Sequence, residues 1–456
     1  MALMKSISGI RGTIGGAPGD NLTPVDIVKF TAAYATILGK GKKVIVGRDG
    51  RMSGEMVRSL VVNTLLGMGL HVIDLGLSTT PTVEMAVKFE DADGGIILTA
   101  SHNPKQWNAL KLLNEKGEFI SAELGQQMLA IAEKEAFDFA GVDELGTYSA
   151  DDSLLQTHID AILVHPLVDK KLIAEKNFTI VIDAINSSGA VAVPALLEAL
   201  GVTNYTVLHA EMHGNFAHNP EPLAENLVEL CTEVVNQKAD LGIAVDPDVD
   251  RLCFVSDDGS LFGEEYTLVA VADYILSKQK GNTVSNLSST RALKDVTEKH
   301  GGEYFASAVG EVNVVKMMKD VNAVIGGEGN GGIIDPKLHY GRDALIGIAL
   351  FLTHLAQTGL SSAALRKTYP DYFMSKQKID LPKSTDVKAL LEKVKTQYAA
   401  QPVNTIDGVK IEFDKSWVHL RSSNTEPIIR VYSEASTVEQ ADALANEVMD
   451  AIKGLM

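Results

Sequence analysis

Two polar motifs in the sequence carry side chains whose types and spacing suit chemistry on a phosphoryl group. The first is Thr99-Ala100-Ser101-His102-Asn103-Pro104, in which the Ser101 hydroxyl is a candidate nucleophile. The second contains Asp246, Asp248 and Asp250. Alternate residues of an extended loop can turn their carboxylates toward one point, and such hard oxygen ligands suit Mg²⁺. A metal ion there would neutralise charge on a transferring phosphoryl group, which is the main task in phosphoryl transfer.

Each motif also has a structural explanation that its residues leave open. Asn103-Pro104 is typical of a helix N-cap and first position, so Ser101 could belong to a capping turn. A hydrolase elbow fits less well, because Gly-x-Ser-x-Gly is absent. The acidic loop could be a solvated turn or an EF-hand-like loop, although an EF-hand needs Gly and Glu where this chain has Arg251 and Asp257. Arg251 could instead hold a phosphate oxygen beside the metal.

Two further motifs could bind the rest of a phosphorylated sugar. In the Gly-rich segment 326–332, Glu328 and Asn330 could bind sugar hydroxyls while the glycines allow close approach. The segment lacks the Gly-Lys-Ser/Thr of a Walker-type loop. The other motif offers guanidinium, hydroxyl and turn N–H donors suited to a phosphate dianion, with a polar hairpin as the alternative explanation. Its residues are Arg421, Ser422, Ser423, Asn424, Thr425 and Arg430.

The first three motifs follow corresponding strands of a degenerate threefold repeat. Each copy is predicted to contain three apolar strands separated by helices, as in parallel βαβ units. The third strands are predicted at residues 95–98, 241–245 and 323–325. Ligands of open α/β sheets bind beyond the carboxyl ends of the strands, so the three motifs should converge on one cleft. After the repeats, four predicted strands alternate with two helices, which indicates a separate α+β domain.

The predicted fold class is therefore α/β, with three repeated α/β domains of mixed or parallel sheets and a C-terminal α+β domain around a central cleft. A chain of 456 residues with 45% hydrophobic content is long enough for several globular cores. The domains carry, in order, the Ser101, metal-binding, sugar-binding and phosphate-binding loops. The predicted boundaries are 1–150, 151–255, 256–366 and 367–456.

Composition excludes several classes of partner. The formal net charge of −18 opposes binding to nucleic acid and to anionic membranes, so we expect neither as a partner. The attraction for an anionic substrate must then come from local clusters of donors.

The two cysteines, Cys231 and Cys253, lack paired spacing and indicate neither a disulfide framework nor a zinc site. With no apolar signal region at the start, we expect a cytoplasmic enzyme.

Together, in this order and over nearly the entire chain, the four motifs resemble the α-D-phosphohexomutase superfamily. The resemblance implies that Ser101 is phosphorylated in the active enzyme and that Ser101, Asp246, Asp248 and Asp250 hold Mg²⁺. It also implies that the Glu328 loop reads the sugar and that the Arg421 segment binds phosphate.

The resemblance extends to residues outside those motifs. Lys111, in Asn108-Ala109-Leu110-Lys111, matches a proposed general acid/base of the family, and Ser8-Gly9-Ile10-Arg11-Gly12 also fits the family pattern. The catalytic set that the resemblance implies is Ser101, Lys111, His102 and Arg11.

The implied activity is a two-step relay between hexose 6-phosphate and hexose 1-phosphate. Phospho-Ser101 phosphorylates one hydroxyl, the hexose bisphosphate turns over in the cleft, and the serine takes back the other phosphate. The chain would act as a monomer or homodimer.

Two features of the motifs bear on which sugar is used. The form of the Ser101 motif is similar to that of phosphoglucosamine mutases and favours glucosamine 6-phosphate. Many bacterial members have Ser-Gly-His where this chain has Asn330-Gly331-Gly332, so phosphomannomutase/phosphoglucomutase activity is the alternative. A Mg²⁺-dependent sugar phosphatase, in which water takes the phosphoryl group, is a more distant one.

Overall fold

The computed structural model describes residues 3–6, 9–382, 385–422 and 428–455. Their strands form four sheets that follow one another along the chain. Three sheets contain parallel strands flanked by helices, and the last is antiparallel. The predicted fold class, three α/β units followed by an α+β unit, is thus confirmed. Within the described residues, no helix combines the length and apolar character that crossing a bilayer requires.

The first unit is built on a sheet of order β1-β2-β6-β5-β3-β4-β7. Helix α2 packs on it through Val57, Val61 and Leu65, which recur at helical spacing and are fully buried. The strands are Met4–Ser6 (β1), Gly9–Thr13 (β2), Lys43–Arg48 (β3), His71–Leu77 (β4), Gly94–Leu98 (β5), Trp107–Leu113 (β6) and Tyr148–Ala150 (β7). The helices are Pro24–Leu38 (α1), Gly54–Gly67 (α2), Thr80–Phe89 (α3) and Ala122–Lys134 (α4).

The second and third units have sheets of order β11-β10-β8-β9 and β13-β12-β14-β15, and they share the largest hydrophobic core. The strands are Thr179–Asp183 (β8), Asn204–Leu208 (β9), Leu241–Val245 (β10), Leu252–Ser256 (β11), Asn282–Asn286 (β12), Tyr304–Ser307 (β13), Ala323–Glu328 (β14) and Gly332–Ile334 (β15). The helices are Leu154–Leu163 (α5), Lys170–Lys176 (α6), Gly189–Ala199 (α7), Val228–Asn236 (α8), Glu264–Lys278 (α9), Ala292–Lys299 (α10), Glu311–Asp320 (α11), Ala344–Thr358 (α12) and Ser362–Arg366 (α13).

The fourth unit has its own core beneath a sheet of order β16-β20-β19-β18-β17. The strands are Phe373–Asp380 (β16), Val403–Asn404 (β17), Val409–Glu412 (β18), Trp417–Ser422 (β19) and Ile428–Ala435 (β20). The helices are Val387–Gln397 (α14) and Val438–Leu455 (α15).

Each α/β unit contains a return strand that the threefold sequence repeat does not predict. The third strand of each copy lies parallel to the first and is followed by an antiparallel partner: β5 by β6, β10 by β11 and β14 by β15. Asn108 and Lys111 interrupt the apolar pattern of β6, and β15 has only three residues. The first three predicted motifs therefore lie where a third strand ends and turns into its return strand.

Candidate active site

The Ser101 segment is a turn between β5 and β6, and no helix follows it in this fully described stretch. The capping explanation is therefore wrong. Ser101 is buried and adopts a left-handed backbone conformation with φ of 50°. Its N–H donates to Thr99 Oγ1 at 2.9 Å, and Thr99 Oγ1 donates to Asp49 at 2.6 Å. These bonds fix the turn and hold the Ser101 hydroxyl at the carboxyl end of β5.

Arg51 clamps the same turn from inside the protein. Its buried guanidinium pairs with Asp49 at 3.0 Å and donates to the carbonyl oxygens of Ser101 and Asn103. Arg11, on β2, donates to Asn103 Oδ1 at 2.7 Å. The predicted residue Arg11 thus lies beside the Ser101 turn. Arg51, which no predicted motif contains, holds the turn as well.

The acidic loop between β10 and β11 gathers its three carboxylates at one point. Asp246, Asp248 and Asp250 are fully buried, and one oxygen of each lies within 4.8 Å of the others. Val249 between them has φ of 61°, a strained conformation for a β-branched residue, and its side chain is also buried. This buried constellation excludes the solvated-turn explanation.

Ser101 contacts this cluster directly. Its Oγ donates to Asp246 Oδ2 at 2.7 Å, and His102 Nδ1 lies 3.3 Å from the same Oγ. Lys111, on β6, donates to Asp248 Oδ2 at 2.7 Å and to Asp250 Oδ2 at 3.2 Å. The structure therefore brings the candidate nucleophile, the lysine and the three aspartates into one buried site.

Two carboxylate oxygens in the cluster are unpaired. Asp248 Oδ1 and Asp250 Oδ1 are buried and make no hydrogen bond with the described part of the chain. Leaving such atoms without a partner is costly, and a cation that prefers oxygen ligands would satisfy both. The residues present therefore fit a divalent cation.

The charges around the cluster shift the protonation of its members. Burial raises the pKa of Asp246 well above its usual range, and the neighbouring Asp248 and Asp250 raise it further. Burial lowers the pKa of Lys111, but Asp248 and Asp250 outweigh burial, so its net pKa is raised. Burial, with Arg251 and Arg11, lowers the pKa of His102 to about 2. At neutral pH Lys111 is an ammonium and His102 a neutral imidazole.

The Glu328 loop is joined to the acidic loop through Arg342. Arg342 donates to Asp250 at 2.7 Å, to Glu328 Oε2 at 3.0 Å and to Glu311 at 2.9 Å. Glu328 Oε1 accepts hydrogen bonds from Asn286 Nδ2 at 2.9 Å and from the Gly310 N–H at 3.2 Å. Nothing in the four motifs points to Arg342, which lies outside all of them.

The glycines of this loop have a packing role. Gly331 has φ of 85°, and a Cβ there would lie 2.2 Å from the Leu252 carbonyl oxygen on β11. A Cβ at Gly329 would lie 2.1 Å from a Glu265 carboxylate oxygen. Asn330 Oδ1 accepts from the Gly332 N–H at 3.2 Å. The glycines thus allow the loop to pack tightly against the protein itself.

Arg251 and the Arg421 segment complete the predicted set. Arg251 is buried and pairs with Glu221 at 3.0 Å. Arg421 and Arg430 lie directly opposite each other on β19 and β20, and Arg421 Nε is 3.1 Å from Asp407. Ser422 ends β19, whereas Ser423, Asn424 and Thr425 lie outside the described residues. Like charges directly opposite on paired strands repel, and an anion shared between them would relieve that repulsion.

The Arg421 segment is connected to the Glu328 loop by a short link. Asp407 accepts a hydrogen bond from the Val309 N–H at 3.1 Å, and the next N–H, of Gly310, donates to Glu328. His419 also lies 2.9 Å from Ser288 Oγ. The fourth unit is therefore held against the third close to the predicted sugar loop.

Comparison with known proteins agrees with this arrangement. Four family models, described as phosphoglucomutase/phosphomannomutase alpha/beta/alpha domains I, II and III and C-terminal domain, match residues 4–139, 156–259, 263–372 and 377–451 respectively. A phosphoglucosamine/phosphogalactosamine mutase of Sulfurisphaera tokodaii is 34% identical to this chain. The alignment is 465 positions long and covers 100% of both proteins.

Two further relatives cover nearly the whole chain. A phosphoglucomutase/phosphomannomutase of Thermococcus kodakarensis is 34% identical, with 94% of this chain and 95% of that protein aligned. The crystal structure of a phosphoglucomutase/phosphomannomutase family protein from Burkholderia thailandensis superimposes with a TM-score of 0.83 at 25% identity, covering 99% of this chain and 98% of that one. The chain therefore belongs to the phosphoglucomutase/phosphomannomutase family within the α-D-phosphohexomutase superfamily.

Proposed function

We propose that this chain is a phosphohexomutase that interconverts hexose 6-phosphate and hexose 1-phosphate through phospho-Ser101 and a hexose bisphosphate. The observation that carries the proposal is the 2.7 Å hydrogen bond from Ser101 Oγ to Asp246, within a buried cluster that also holds Asp248, Asp250 and Lys111. A serine hydroxyl with only a structural role would not need three buried carboxylates and an ammonium beside it.

The cation of this site is proposed to be Mg²⁺. Asp246, Asp248, Asp250 and the Ser101 phosphoryl group would hold it, because hard oxygen ligands suit this ion. When bound, Mg²⁺ would neutralise negative charge on the transferring phosphoryl group.

The chain's own residues then position the groups for transfer. The bond from Ser101 Oγ to phosphorus breaks as a sugar hydroxyl oxygen bonds to phosphorus. Lys111 is proposed as the general acid/base: its ammonium places positive charge beside the group, gives a proton to the departing Ser101 oxygen, and then takes up the proton that the sugar hydroxyl releases. His102, neutral at 3.3 Å from Oγ, can hydrogen-bond the serine oxygen without repelling the cation. After the bisphosphate turns over, the same steps run in reverse with its other phosphate.

The remaining predicted residues are proposed to hold the substrate. Arg251 and Arg11 supply positive charge near the Ser101 turn. Glu328 and Asn330 would bind sugar hydroxyls, and the distal phosphate would lie between Arg421 and Arg430, near the end of β19 and the start of β20. The residues of that phosphate site are Arg421, Ser422, Ser423, Asn424, Thr425 and Arg430.

Glucosamine phosphate is proposed as the preferred sugar. The form of the Ser101 motif supports this choice, as does a relative of 34% identity named for glucosamine and galactosamine phosphates. A relative of equal identity is a phosphoglucomutase/phosphomannomutase, which keeps that activity as the second candidate.

The test is a parallel measurement of kcat/KM on the 6-phosphates of glucosamine, mannose and glucose, with Mg²⁺ and a trace of hexose bisphosphate. We expect glucosamine 6-phosphate to be preferred by at least roughly tenfold, the discrimination that one well-placed polar contact provides. A preference for mannose or glucose phosphate would assign the second activity. Stoichiometric release of inorganic phosphate would show a phosphatase and refute the mutase.

A further inference from the structure

A second cluster of potential metal ligands lies outside the proposed active site, at the carboxyl ends of β8 and β9. Asp183 is the last residue of β8, and His209 directly follows its parallel neighbour β9. His218 returns to the same point at the end of the loop that begins at His209. One ligand atom from each of these residues lies within 4.8 Å of the others. The proposed mechanism uses none of them.

The distances in this cluster match the edges of a small coordination sphere. His218 Nε2 lies 2.9 Å from Asp183 Oδ2, and His209 Nε2 lies 3.9 Å from the same oxygen. Glu229, on α8, places a carboxylate oxygen 3.5 Å from His209 Nε2. Tetrahedral bonds of about 2.0–2.1 Å put neighbouring ligand atoms about 3.3 Å apart. Small side-chain adjustments would therefore place the ligand atoms of Asp183, His209 and His218 around one ion. Glu229 lies outside this group of three, near His209 only, and a rotation of its exposed side chain would add it as a fourth ligand.

One ligand atom lacks a partner. His209 Nε2 is buried and makes no hydrogen bond with the described residues, although two carboxylates lie near it. A buried imidazole nitrogen left in this state is costly, and coordination to a cation would satisfy it. Asp183 Oδ1 already accepts the Ile185 N–H at 3.0 Å, which leaves Oδ2 to face the two imidazoles.

The partners of His218 are those of a metal ligand. Its Nδ1 lies 2.8 Å from the Asn219 carbonyl oxygen and its Nε2 faces Asp183, so both ring nitrogens face acceptors. Metal-binding histidines usually donate the N–H of the second ring nitrogen to a carbonyl or carboxylate. The Asn219 carbonyl would play this part while an ion replaces the proton on Nε2.

From these observations we infer that Asp183, His209 and His218, with Glu229 as a fourth ligand, form a binding site for Zn²⁺ or a similar borderline-soft divalent cation. Two imidazoles and a carboxylate are typical zinc ligands, whereas Mg²⁺ prefers oxygen donors. The two metal sites of the chain would thus differ in the ion that they select. The inference is independent of the proposed mutase activity.

The position of the site gives it a structural consequence. The loop between His209 and His218 packs against the first unit, where a Cβ at Gly214 would lie 2.2 Å from the Gly50 carbonyl oxygen. The ring of Phe216 in that loop packs on the Arg51 guanidinium, with 5.1 Å between the ring centroid and Arg51 Cζ. The same guanidinium donates to the Ser101 carbonyl oxygen. An ion that joins the two ends of the loop would stabilise this contact between the first and second units.

The experiment titrates the metal-free full-length chain with Zn²⁺, and separately with Co²⁺, in excess Mg²⁺ that occupies the aspartate cluster. We expect one equivalent to bind, the Co²⁺ form to show the intense visible absorption of a four-coordinate site, and Zn²⁺ to raise the melting temperature. His209→Ala should lower Zn²⁺ affinity by more than about 100-fold, since even supporting residues of metal sites contribute 10- to 100-fold. His213→Ala, at an exposed histidine of the same loop, is the matched control and should bind as the wild type does.

Three results would overturn the inference: no uptake by the wild type beyond Mg²⁺, equal affinity in His209→Ala, or equal losses in His209→Ala and His213→Ala. If His209→Ala does not fold, X-ray absorption on the Zn²⁺-loaded wild type decides instead. Two imidazole ligands would support the site, whereas an all-oxygen shell would refute it.

Discussion

The acidic loop and the Glu328 loop occupy equivalent places in their units, each between a third strand and its return strand, yet their carboxylates differ in how they are paired. Asp248 and Asp250 each keep one buried oxygen without a hydrogen bond from the described residues. Both oxygens of Glu328 are paired, one with Arg342 and the other with Asn286 and the Gly310 N–H. The first loop thus has free oxygens for the proposed ion, whereas the second would have to share or exchange its partners to bind the proposed sugar.

The same contrast holds between two buried lysines. Lys111 is paired with Asp248 and Asp250, and the two carboxylates keep it charged. Lys410, on β18, donates to the Leu287 carbonyl oxygen at 2.9 Å but forms no ion pair with the described residues. Burial lowers the pKa of Lys410 to about 8. At the proposed reaction site the charge is thus stabilised by direct ion pairs. At the contact between the third and fourth units, the Lys410 ammonium instead lies over the Trp417 ring, 4.2 Å from its centroid, and the attraction of Glu412 and Glu434 does not offset burial.

The largest effect is expected from removing the Ser101 hydroxyl, the proposed carrier of the phosphoryl group. Ser101→Ala should lower kcat by more than about 10³-fold, because removing a covalent nucleophile eliminates the proposed pathway. The fold should persist, since the change deletes a single oxygen. A coupled assay of hexose 1-phosphate formation, with circular dichroism as the control for folding, measures this. Wild-type turnover in the variant would end the phosphoserine account.

The second prediction separates the two loops. Asp248→Asn should raise the Mg²⁺ concentration for half-maximal activity by about 100-fold, because it replaces a proposed metal ligand. Glu328→Gln should leave that concentration within about twofold but raise KM for the hexose phosphate, because its proposed partner is the sugar. Mg²⁺ titrations of activity in both variants measure the difference. Equal Mg²⁺ shifts in the two variants would remove the distinction between the loops.

The third prediction concerns the facing pair Arg421 and Arg430. Arg421→Ala should raise KM by the order of tenfold with little change in kcat, because a charged hydrogen bond to phosphate is lost equally in ground and transition states. Steady-state kinetics on the preferred sugar phosphate measure this. Lys453→Ala, at an exposed lysine whose ion pair among the described residues is with Asp450, is the control. An unchanged KM in Arg421→Ala would place this segment outside the substrate site.

The smallest effect sharpens the contrast between the lysines. The pKa of Lys410 is about 8 in the folded chain, against the usual 10.5 in the unfolded chain. Between these two pH values the folded chain has released the proton and the unfolded chain still holds it. The free energy of unfolding should therefore rise with pH through this window. Between pH 8 and 9 the wild type should gain roughly 1 kcal/mol over Lys410→Met. Urea unfolding of both proteins at the two pH values measures this, and parallel changes would contradict the buried, unpaired ammonium.

The elements that could be predicted from the sequence are those that short, local patterns define. The third strands and their motifs were identified because short apolar runs end in polar turns, as at β10 and its aspartates. The return strands were missed where polar residues such as Lys111 interrupt them. The helix-capping alternative for Ser101 was local too, and only the path of the chain into β6 removed it.

What depends on distant residues could not be derived from spacing. Ser101 and Asp246 are 145 residues apart; the threefold repeat predicts that their motifs share a cleft, but not that the two side chains are in direct contact. Arg342 carries no motif, yet it links Asp250 to Glu328. Asp183 and His218 are 35 residues apart. The spacing of cysteines, which serves to recognise many zinc sites, gives no sign of the proposed site of histidines and carboxylates.

The central claim is that Ser101 carries the phosphoryl group between two positions of one sugar. The most direct test incubates the chain with a hexose bisphosphate, locates the phosphate by peptide mass spectrometry, and then adds a hexose 6-phosphate. The account predicts one phosphoryl group on Ser101 that passes to the sugar as bisphosphate. A phosphate on another residue, or its release to water as inorganic phosphate, would contradict it.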